Sequence, residues 1–104
     1  MENSVRLGRE AQAELRAAID WYAEQRVELG EYFWREVDKA IALIAKSPNA
    51  GTTVPGVSPE VPVRRVFVRK FPYAIVYLVY KNEIRVIAIT HLRRRPRYWL
   101  SRVK

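Results

Sequence analysis

Apolar residues in the first half of the chain recur with the period of an α-helix. Within residues 10–28 the stripe consists of Ala11, Leu15, Ala18, Ile19 and Tyr22. A second stripe, within residues 31–45, consists of Phe33, Val37, Ile41 and Ile44. Such spacing places each set on one helix face. Gly30 interrupts the pattern and predicts the turn between the helices. We therefore expect an antiparallel helical hairpin whose apolar faces meet a common third element.

The period changes to two in the second half of the chain. Residues 63–69, 73–80 and 83–90 are rich in Val, Ile, Tyr and Phe, which is typical of strands. The links between them are short, so consecutive strands should pair as an antiparallel meander. Both faces of the middle segment are apolar, and we expect both to be covered, at least in part. Residues 4–7 predict one more short strand, and residues 47–62, with four prolines and two glycines, predict a loop.

This order, β-α-α-β-β-β, predicts a single α+β domain spanning residues 1–104. A short N-terminal strand precedes the helical hairpin, which packs on the meander, and a short tail follows from Pro96. The chain has no cysteine and one histidine, so we expect neither disulfides, nor a metal site, nor a cofactor. The N-terminus lacks the apolar core of a signal peptide, and the longest apolar run is far shorter than the ~20 residues that span a bilayer. We therefore expect a cytoplasmic protein without membrane contact.

Charge is distributed unevenly along the chain. Residues 61–104 carry twelve basic side chains and one acidic side chain, a net charge of +11, whereas residues 1–60 have a net charge of −3. Together they give the net charge of +8. Such asymmetry indicates a polyanionic partner: a nucleic acid, an anionic surface or an acidic protein.

The basic side chains concentrate in two places. The first strand of the predicted meander carries Arg64, Arg65, Arg69 and Lys70. The segment after the last strand carries Arg93, Arg94, Arg95, Arg97, Arg102 and Lys104. Tyr98 and Trp99 lie within the second group. Arginine forks bind phosphate or carboxylate, and aromatic rings stack on bases, so this mixture is typical of RNA-binding surfaces. The alternative is a solvated basic face that only maintains solubility.

Other candidate residues allow two interpretations each. His91, at the end of the last predicted strand, is either a general acid or base or a structural residue that caps the strand. Trp21 and Trp34 lie beside the buried stripes, so they either flank the core or form a groove for a partner's helix. The helix acids are interpreted as ordinary surface residues: Glu10, Glu14, Asp20, Glu24 and Glu28. No phosphate-binding glycine loop or catalytic triad pattern is present.

A family resemblance covers residues 63–99, VRRVFVRKFPYAIVYLVYKNEIRVIAITHLRRRPRYW. This segment resembles the C-terminal half of RelE/ParE superfamily toxins from bacterial type II toxin–antitoxin modules. The shared features are the arginines of the first strand, a Phe-Pro-Tyr link, an Ile-Val-Tyr strand, a short polar turn, and a final strand that ends in histidine before arginines, proline and an aromatic pair. The two helices and the Pro/Gly loop are also similar, so the resemblance extends over nearly the whole chain.

The resemblance implies one of two activities. RelE-like members cut mRNA on the ribosome without a metal, using basic residues and a C-terminal aromatic residue, whereas ParE-like members poison DNA gyrase. The two lysine positions of the nuclease strand correspond here to Arg65 and Phe67, and an arginine position on the next strand corresponds to Ala74. Two cations are therefore missing, while Arg93 and an aromatic residue, Tyr98 or Trp99, are retained.

These departures favour a ParE-like growth inhibitor that acts on DNA gyrase and is neutralised by a small acidic antitoxin. The predicted target-binding residues are Arg93, Arg94, Arg95, Arg97, Tyr98 and Trp99. The predicted antitoxin-binding residues are Trp21, Trp34, Arg64, Arg65 and Arg69. Two alternatives remain open. One is a ribosome-dependent mRNA interferase whose catalytic residues are Arg65, His91, Arg93 and Tyr98, with His91 compensating for the missing cations. The other is a non-toxic RNA-binding module.

Overall fold

The computed structural model describes residues 3–103 as a helical pair packed on a five-stranded sheet. The elements in chain order are β1 (Ser4–Leu7), α1 (Arg9–Gln25), α2 (Val27–Lys46), β2 (Thr52–Thr53), β3 (Val63–Phe67), β4 (Tyr73–Tyr80), β5 (Glu83–His91) and a 3-10 turn (Leu100–Arg102). The predicted α+β class and the helical hairpin are confirmed. Lys104, the last residue of the predicted basic group, lies outside the described residues.

The strand order of the sheet is β1-β5-β4-β3-β2. Strands β3, β4 and β5 form the predicted antiparallel meander. β1 pairs with β5 in parallel, with Ser4 opposite Glu83, so the sheet is mixed and not purely antiparallel. A parallel neighbour requires a long crossover connection, and here the two helices and the rest of the sheet supply it. β2 lies inside the predicted loop, where Thr52 pairs with Arg65.

Gly30 does not separate the helices, contrary to the sequence prediction. The break falls at Arg26, whose backbone is extended with φ −159° and ψ 136°. Gly30 is buried inside α2, and a Cβ added to it would lie 2.9 Å from the Cβ of Ala23 and 3.1 Å from the carbonyl oxygen of Ile19. The absence of a side chain therefore allows α1 and α2 to approach closely. A glycine selected for close packing produces the same sequence signal as one selected for a turn.

Two hydrophobic cores lie on opposite faces of the sheet. The helix-side core is built around Phe33, Val37, Ile44, Ile75, Tyr77 and Ile84. The smaller core on the other face consists of Val54, Val63, Val76, Ile87, Ala88 and Trp99. Its cover comes from the loop after α2 and from the C-terminal tail. The expectation that β4 is covered on both faces is thus confirmed.

The loop after α2 is anchored to the sheet by Tyr77. The Tyr77 hydroxyl donates to the carbonyl oxygen of Pro48 at 2.7 Å and accepts from the Gly51 N–H at 2.9 Å. A Cβ on Gly51 would lie 2.6 Å from that hydroxyl. Burial raises the pKa of Tyr77, which keeps the hydroxyl protonated. Neither helix within residues 3–103 is long and apolar enough to cross a membrane.

Candidate functional site

A basic cleft opens on the face of the sheet opposite the helices. Its volume is about 300 Å³. The cations in its wall are Arg65, Arg94, Arg95 and Arg97, and His91 lines it as well. None of its lining residues is acidic. A concave surface lined by charges of one sign concentrates its field, so this basic cleft is the strongest candidate for contact with an anion.

Arg65 enters the basic cleft from β3. Its guanidinium carbon lies 5.0 Å from the centroid of the Phe67 ring, a distance at which cation and ring attract each other. The Arg65 Nε is buried and has no hydrogen-bond partner among residues 3–103. Phe67, by contrast, is 51% exposed at the sheet edge. An exposed aromatic ring therefore lies against a guanidinium that lines the basic cleft and has an unused donor.

His91 lies at the end of β5, half-buried, with its ring edge-on to Tyr73 at 5.1 Å between centroids. Its Nδ1 accepts the backbone N–H of Arg93 at 3.0 Å. A neutral histidine that accepts at Nδ1 carries its proton on Nε2. In this form the imidazole offers a donor, not an acceptor, at its second nitrogen.

Glu14 holds the C-terminal tail against the body of the protein. Its side chain is only 13% exposed. Arg102 donates to both carboxylate oxygens at 3.1 Å, and the Tyr98 hydroxyl donates at 2.6 Å. The Ile89 backbone N–H donates at 3.0 Å, and Arg94 lies at 3.5 Å. Five donors thus meet one carboxylate, which corrects the interpretation of Glu14 as an ordinary surface acid.

The sequence did contain a signal for Glu14. It lies three residues after Ala11 and four before Ala18, both buried, so it shares their helix face. The tail that covers it follows 84 residues later at Tyr98. Helical periodicity alone does not show that the sheet and tail supply donors to this position.

Glu14, Tyr98 and Arg102 form a clamp, and within it the pKa values of Tyr98 and Arg102 are both raised. Burial raises the pKa of Tyr98, and the hydrogen bond to Glu14 raises it further. Burial lowers the pKa of Arg102, but the hydrogen bond and charge of Glu14 outweigh that effect, so the pKa is raised overall. The Arg94 guanidinium lies 3.8 Å from the centroid of the Tyr98 ring. Tyr98 and Arg102, the two tail residues of the clamp, are therefore both bound to other parts of the protein.

The tail residues predicted to bind a target divide into two groups. Trp99 is only 3% exposed and belongs to the smaller core, so almost all of its ring is covered and only a small part lines the basic cleft. Arg93, Arg95 and Arg97 are exposed. Arg97 has a φ of 60°, and its guanidinium lies over Gly56 and 3.4 Å from the Pro55 carbonyl oxygen. It thereby bridges the tail and the loop across one rim of the basic cleft.

The residues predicted for an interferase site are only partly brought together. Arg65 and His91 both line the basic cleft, whereas Arg93 and Tyr98 do not. The Tyr98 hydroxyl points to Glu14 at 2.6 Å. The four side chains therefore do not surround one cavity.

An apolar groove runs between the two helices. Its volume is about 570 Å³, and its lining includes Leu15, Ile19, Val27 and Trp34. Trp34 is 43% exposed and Trp21 is 55% exposed. Trp21 does not line this helix groove; it borders a smaller pocket that also touches His91 and Arg94.

The predicted antitoxin-binding arginines lie on and after β3, separate from the helix groove. Arg64 is half-buried and donates to the Gly51 carbonyl oxygen at 2.7 Å. Arg69 is exposed, and Arg65 lies in the basic cleft. The five predicted residues therefore fall on more than one surface.

Comparisons with known proteins agree with this architecture. Residues 5–96 match the family model described as the ParE toxin of the type II toxin–antitoxin system parDE. No curated protein matches the chain. Among solved structures, the chain is similar to one described as the chromosomal ParDE TA system from P. aeruginosa, with a TM-score of 0.72 and 22% identity. That alignment covers 86% of this chain and 96% of the other, and at this identity it shows a shared fold.

Proposed function

Because the chain belongs to the ParE toxin family of type II toxin–antitoxin systems, we propose that it inhibits bacterial growth by acting on DNA gyrase. A cognate acidic antitoxin neutralises it, and the toxin acts in the cytoplasm. The observation that carries this proposal is the clamp on the tail: the Tyr98 hydroxyl donates to Glu14 at 2.6 Å. The aromatic residue that the alternative nuclease needs is thus occupied within the fold.

The basic cleft supports binding better than cleavage. Cutting RNA requires a proton acceptor for the attacking hydroxyl and cations around the scissile phosphate. His91 presents a donor at its free nitrogen, since its Nδ1 accepts from Arg93. Phe67 and Ala74 occupy places where the nuclease pattern has cations. A basic surface without this constellation is suited to contact with a nucleic acid or an acidic protein face.

Two surfaces outside the basic cleft suit an antitoxin: the helix groove and the exposed arginines. The helix groove is apolar and partly lined by Trp34, as expected for a site that receives an amphipathic helix. Acidic side chains of the same partner would meet the exposed arginines, which increases association rate and specificity. The similar solved structure is described as a ParDE system, which supports a two-component module here.

The proposal is tested by expressing the chain in bacteria with and without its cognate antitoxin. We expect growth arrest with the toxin alone, normal growth with both, and loss of DNA supercoiling when purified toxin is added to gyrase. A catalytically independent topoisomerase serves as the control and should be unaffected. Undisturbed supercoiling at saturating toxin, together with normal growth, would refute the proposal.

A second candidate function is a ribosome-dependent mRNA interferase. It is favoured by one observation, namely that Arg65 and His91 both line the basic cleft. The discriminating experiment maps transcript ends after induction of the natural chain and of His91→Ala. Cleavage that disappears in His91→Ala would establish the interferase in place of the gyrase inhibitor.

A further inference from the structure

We propose that the basic cleft is a phosphate-binding site for a ligand about the size of one nucleotide. The first ground is charge. Among residues 3–103, no carboxylate forms an ion pair with Arg65, Arg95 or Arg97, whereas Arg94 and Arg102 share Glu14. Three uncompensated guanidinium groups in one concave wall form an electrostatic trap for a dianion.

The second ground is an unsatisfied donor. The Arg65 Nε is buried without a partner among the described residues. Buried donors are nearly always hydrogen-bonded in folded proteins, so this exception needs an explanation. Arg65 lies over the Phe67 ring, which leaves the edge of the guanidinium for an acceptor in its plane. The Nε is covered in this conformation, so a small movement of the Arg65 side chain, which lines the basic cleft, would bring it to an oxygen that enters there.

The third ground is the type of donor that surrounds the cavity. Arginine forks match the oxygens of phosphate in pairs. His91 adds an N–H at Nε2, because Nδ1 is already an acceptor. A phosphate offers enough oxygens to accept from several such donors at once, whereas a single carboxylate offers two. The donor set therefore favours phosphate.

The size of the ligand follows from the cavity. A volume of about 300 Å³ exceeds what one phosphate group fills and lies at the lower end of small-molecule sites. Apolar side chains complete the wall, including Val54, Leu92 and Pro96. Phe67 does not line the basic cleft, but its exposed ring lies next to Arg65, and the ring face that Arg65 leaves uncovered is available to a base that projects from the cleft. A phosphate with one attached nucleoside matches this combination.

The experiment titrates the isotope-labelled full chain at constant ionic strength with inorganic phosphate, with adenosine 5′-monophosphate and with adenosine. We expect saturable shifts at the amides of Arg65, His91 and Arg97 with both phosphate probes. If the monophosphate binds more tightly than inorganic phosphate, the natural ligand is a nucleotide or nucleic-acid end. Equal affinities would overturn the nucleotide-sized ligand, because the nucleoside would then add no contact. Adenosine binding as tightly as its monophosphate would overturn the proposal.

Matched charge variants make the assignment specific. Arg65→Gln should weaken phosphate binding roughly tenfold or more, as expected for a lost charge-assisted hydrogen bond. Arg35→Gln removes the same charge from the exposed side of α2 and should leave affinity unchanged. Equal losses in the two variants would show general attraction to a basic protein and refute a built site.

A further variant covers the case in which Arg65→Gln fails to fold. Arg95 is exposed, so Arg95→Gln should keep the fold and still weaken phosphate binding; unchanged affinity in this variant counts against the site. The measurement does not depend on gyrase. A chain that arrests growth but shows no saturable phosphate binding would eliminate this site and leave the proposed toxin function intact.

Discussion

Tyr98 donates a hydrogen bond of 2.6 Å to Glu14, a residue 84 positions earlier in the chain. With the paired bonds from Arg102 at 3.1 Å, it fixes the tail to α1. The tail in turn covers the smaller core through Trp99. One carboxylate on a helix therefore controls both the position of the C-terminal arginines and the closure of the second face of the sheet.

Replacing Glu14 should destabilise the fold. Glu14→Ala leaves Tyr98, Arg102 and the Ile89 amide without their shared acceptor, and we expect a loss of about 2–4 kcal/mol in the free energy of unfolding. Glu14→Gln keeps part of the hydrogen bonding and should lose less. Chemical denaturation measures both. Glu24→Gln, an exposed change on the same helix, should stay within about 0.5 kcal/mol of the natural chain; an equal effect in this control would contradict the clamp.

Stability should fall at alkaline pH, and Tyr98 should contribute to the fall. Burial, aided by Glu14, raises the pKa of Tyr98 above the usual 10.0, so the folded state retains a proton that the unfolded state releases. The stabilisation is full below pH 10 and is lost as pH rises through the folded pKa. Tyr98→Phe should therefore show a shallower decline than the natural chain in denaturation curves above pH 10.

A suitable control for this titration is Tyr80→Phe, because Tyr80 is 64% exposed. Its alkaline decline should match that of the natural chain. Tyr22, Tyr73 and Tyr77 also have raised pKa values, mainly through burial, so a decline remains in Tyr98→Phe. Parallel curves for Tyr98→Phe and the natural chain would show that Tyr98 ionises alike in both states.

Adding a methyl group at Gly30 should separate the two helices. The new Cβ would lie 2.9 Å from that of Ala23, and overpacking costs about 1–3 kcal/mol. Higher helix propensity returns about 1 kcal/mol, so we expect a net loss for Gly30→Ala. Adding Ala23→Gly to Gly30→Ala removes the shortest contact and leaves the Ile19 carbonyl oxygen at 3.1 Å, so a double-mutant cycle should yield a favourable coupling energy. If the free-energy losses of the two substitutions simply add, the destabilisation by Gly30→Ala does not come from contact with Ala23.

The helix groove should carry affinity for the antitoxin. Trp34→Arg puts a charge into its apolar wall, and we expect the dissociation constant to rise at least tenfold, as for a central interface aromatic. Leu43→Arg is the matched control, since Leu43 is 47% exposed on the same helix and lies outside the groove lining. Calorimetric titration of antitoxin into each variant measures the difference. Equal constants for both variants would exclude the groove.

Deleting the tail from Arg97 onward should damage the fold as well as any contact with a target. The deletion removes the buried Trp99 ring and two of the Glu14 partners, Tyr98 and Arg102, and losing one buried aromatic residue alone costs about 3–5 kcal/mol. We expect thermal unfolding to shift downward markedly. Substitution of exposed Arg95 by Glu should leave the melting temperature nearly unchanged, so it tests target contact more cleanly than truncation. A truncated chain with unchanged melting would contradict this role of the tail.

The sequence predicted elements well where one periodic pattern decides them. The helix stripes and the alternating strands gave the correct types and order, because burial of one face imposes the period. The parallel orientation of β1 could not be predicted, because the alternation of its side chains does not show which strand it pairs with. The helix boundary was wrongly predicted at Gly30, because glycine is favoured both in turns and where two helices pack closely. The interpretation of Glu14 was wrong because its partners are distant in sequence.

The candidate site was predictable in composition but not in arrangement. Arginine clustering identified the charged region, and His91 with Arg65 does line its cleft. The pattern could not separate Trp99, which is buried, from the exposed arginines beside it. Short helical turns after a proline give no period from which to assign a face, so the tail's burial depends on tertiary contacts.

The parallel pairing of β1 with β5 also has a consequence for synthesis. Ser4 cannot meet Glu83 until nearly the whole chain has left the ribosome, and Glu14 waits still longer for Arg102. Contacts between such distant segments slow folding, since loop closure precedes any gain from pairing. The helices have time to form while the sheet is still incomplete. The closed sheet and the anchored tail therefore form late, after β5 and the segment around Arg102 have been synthesised.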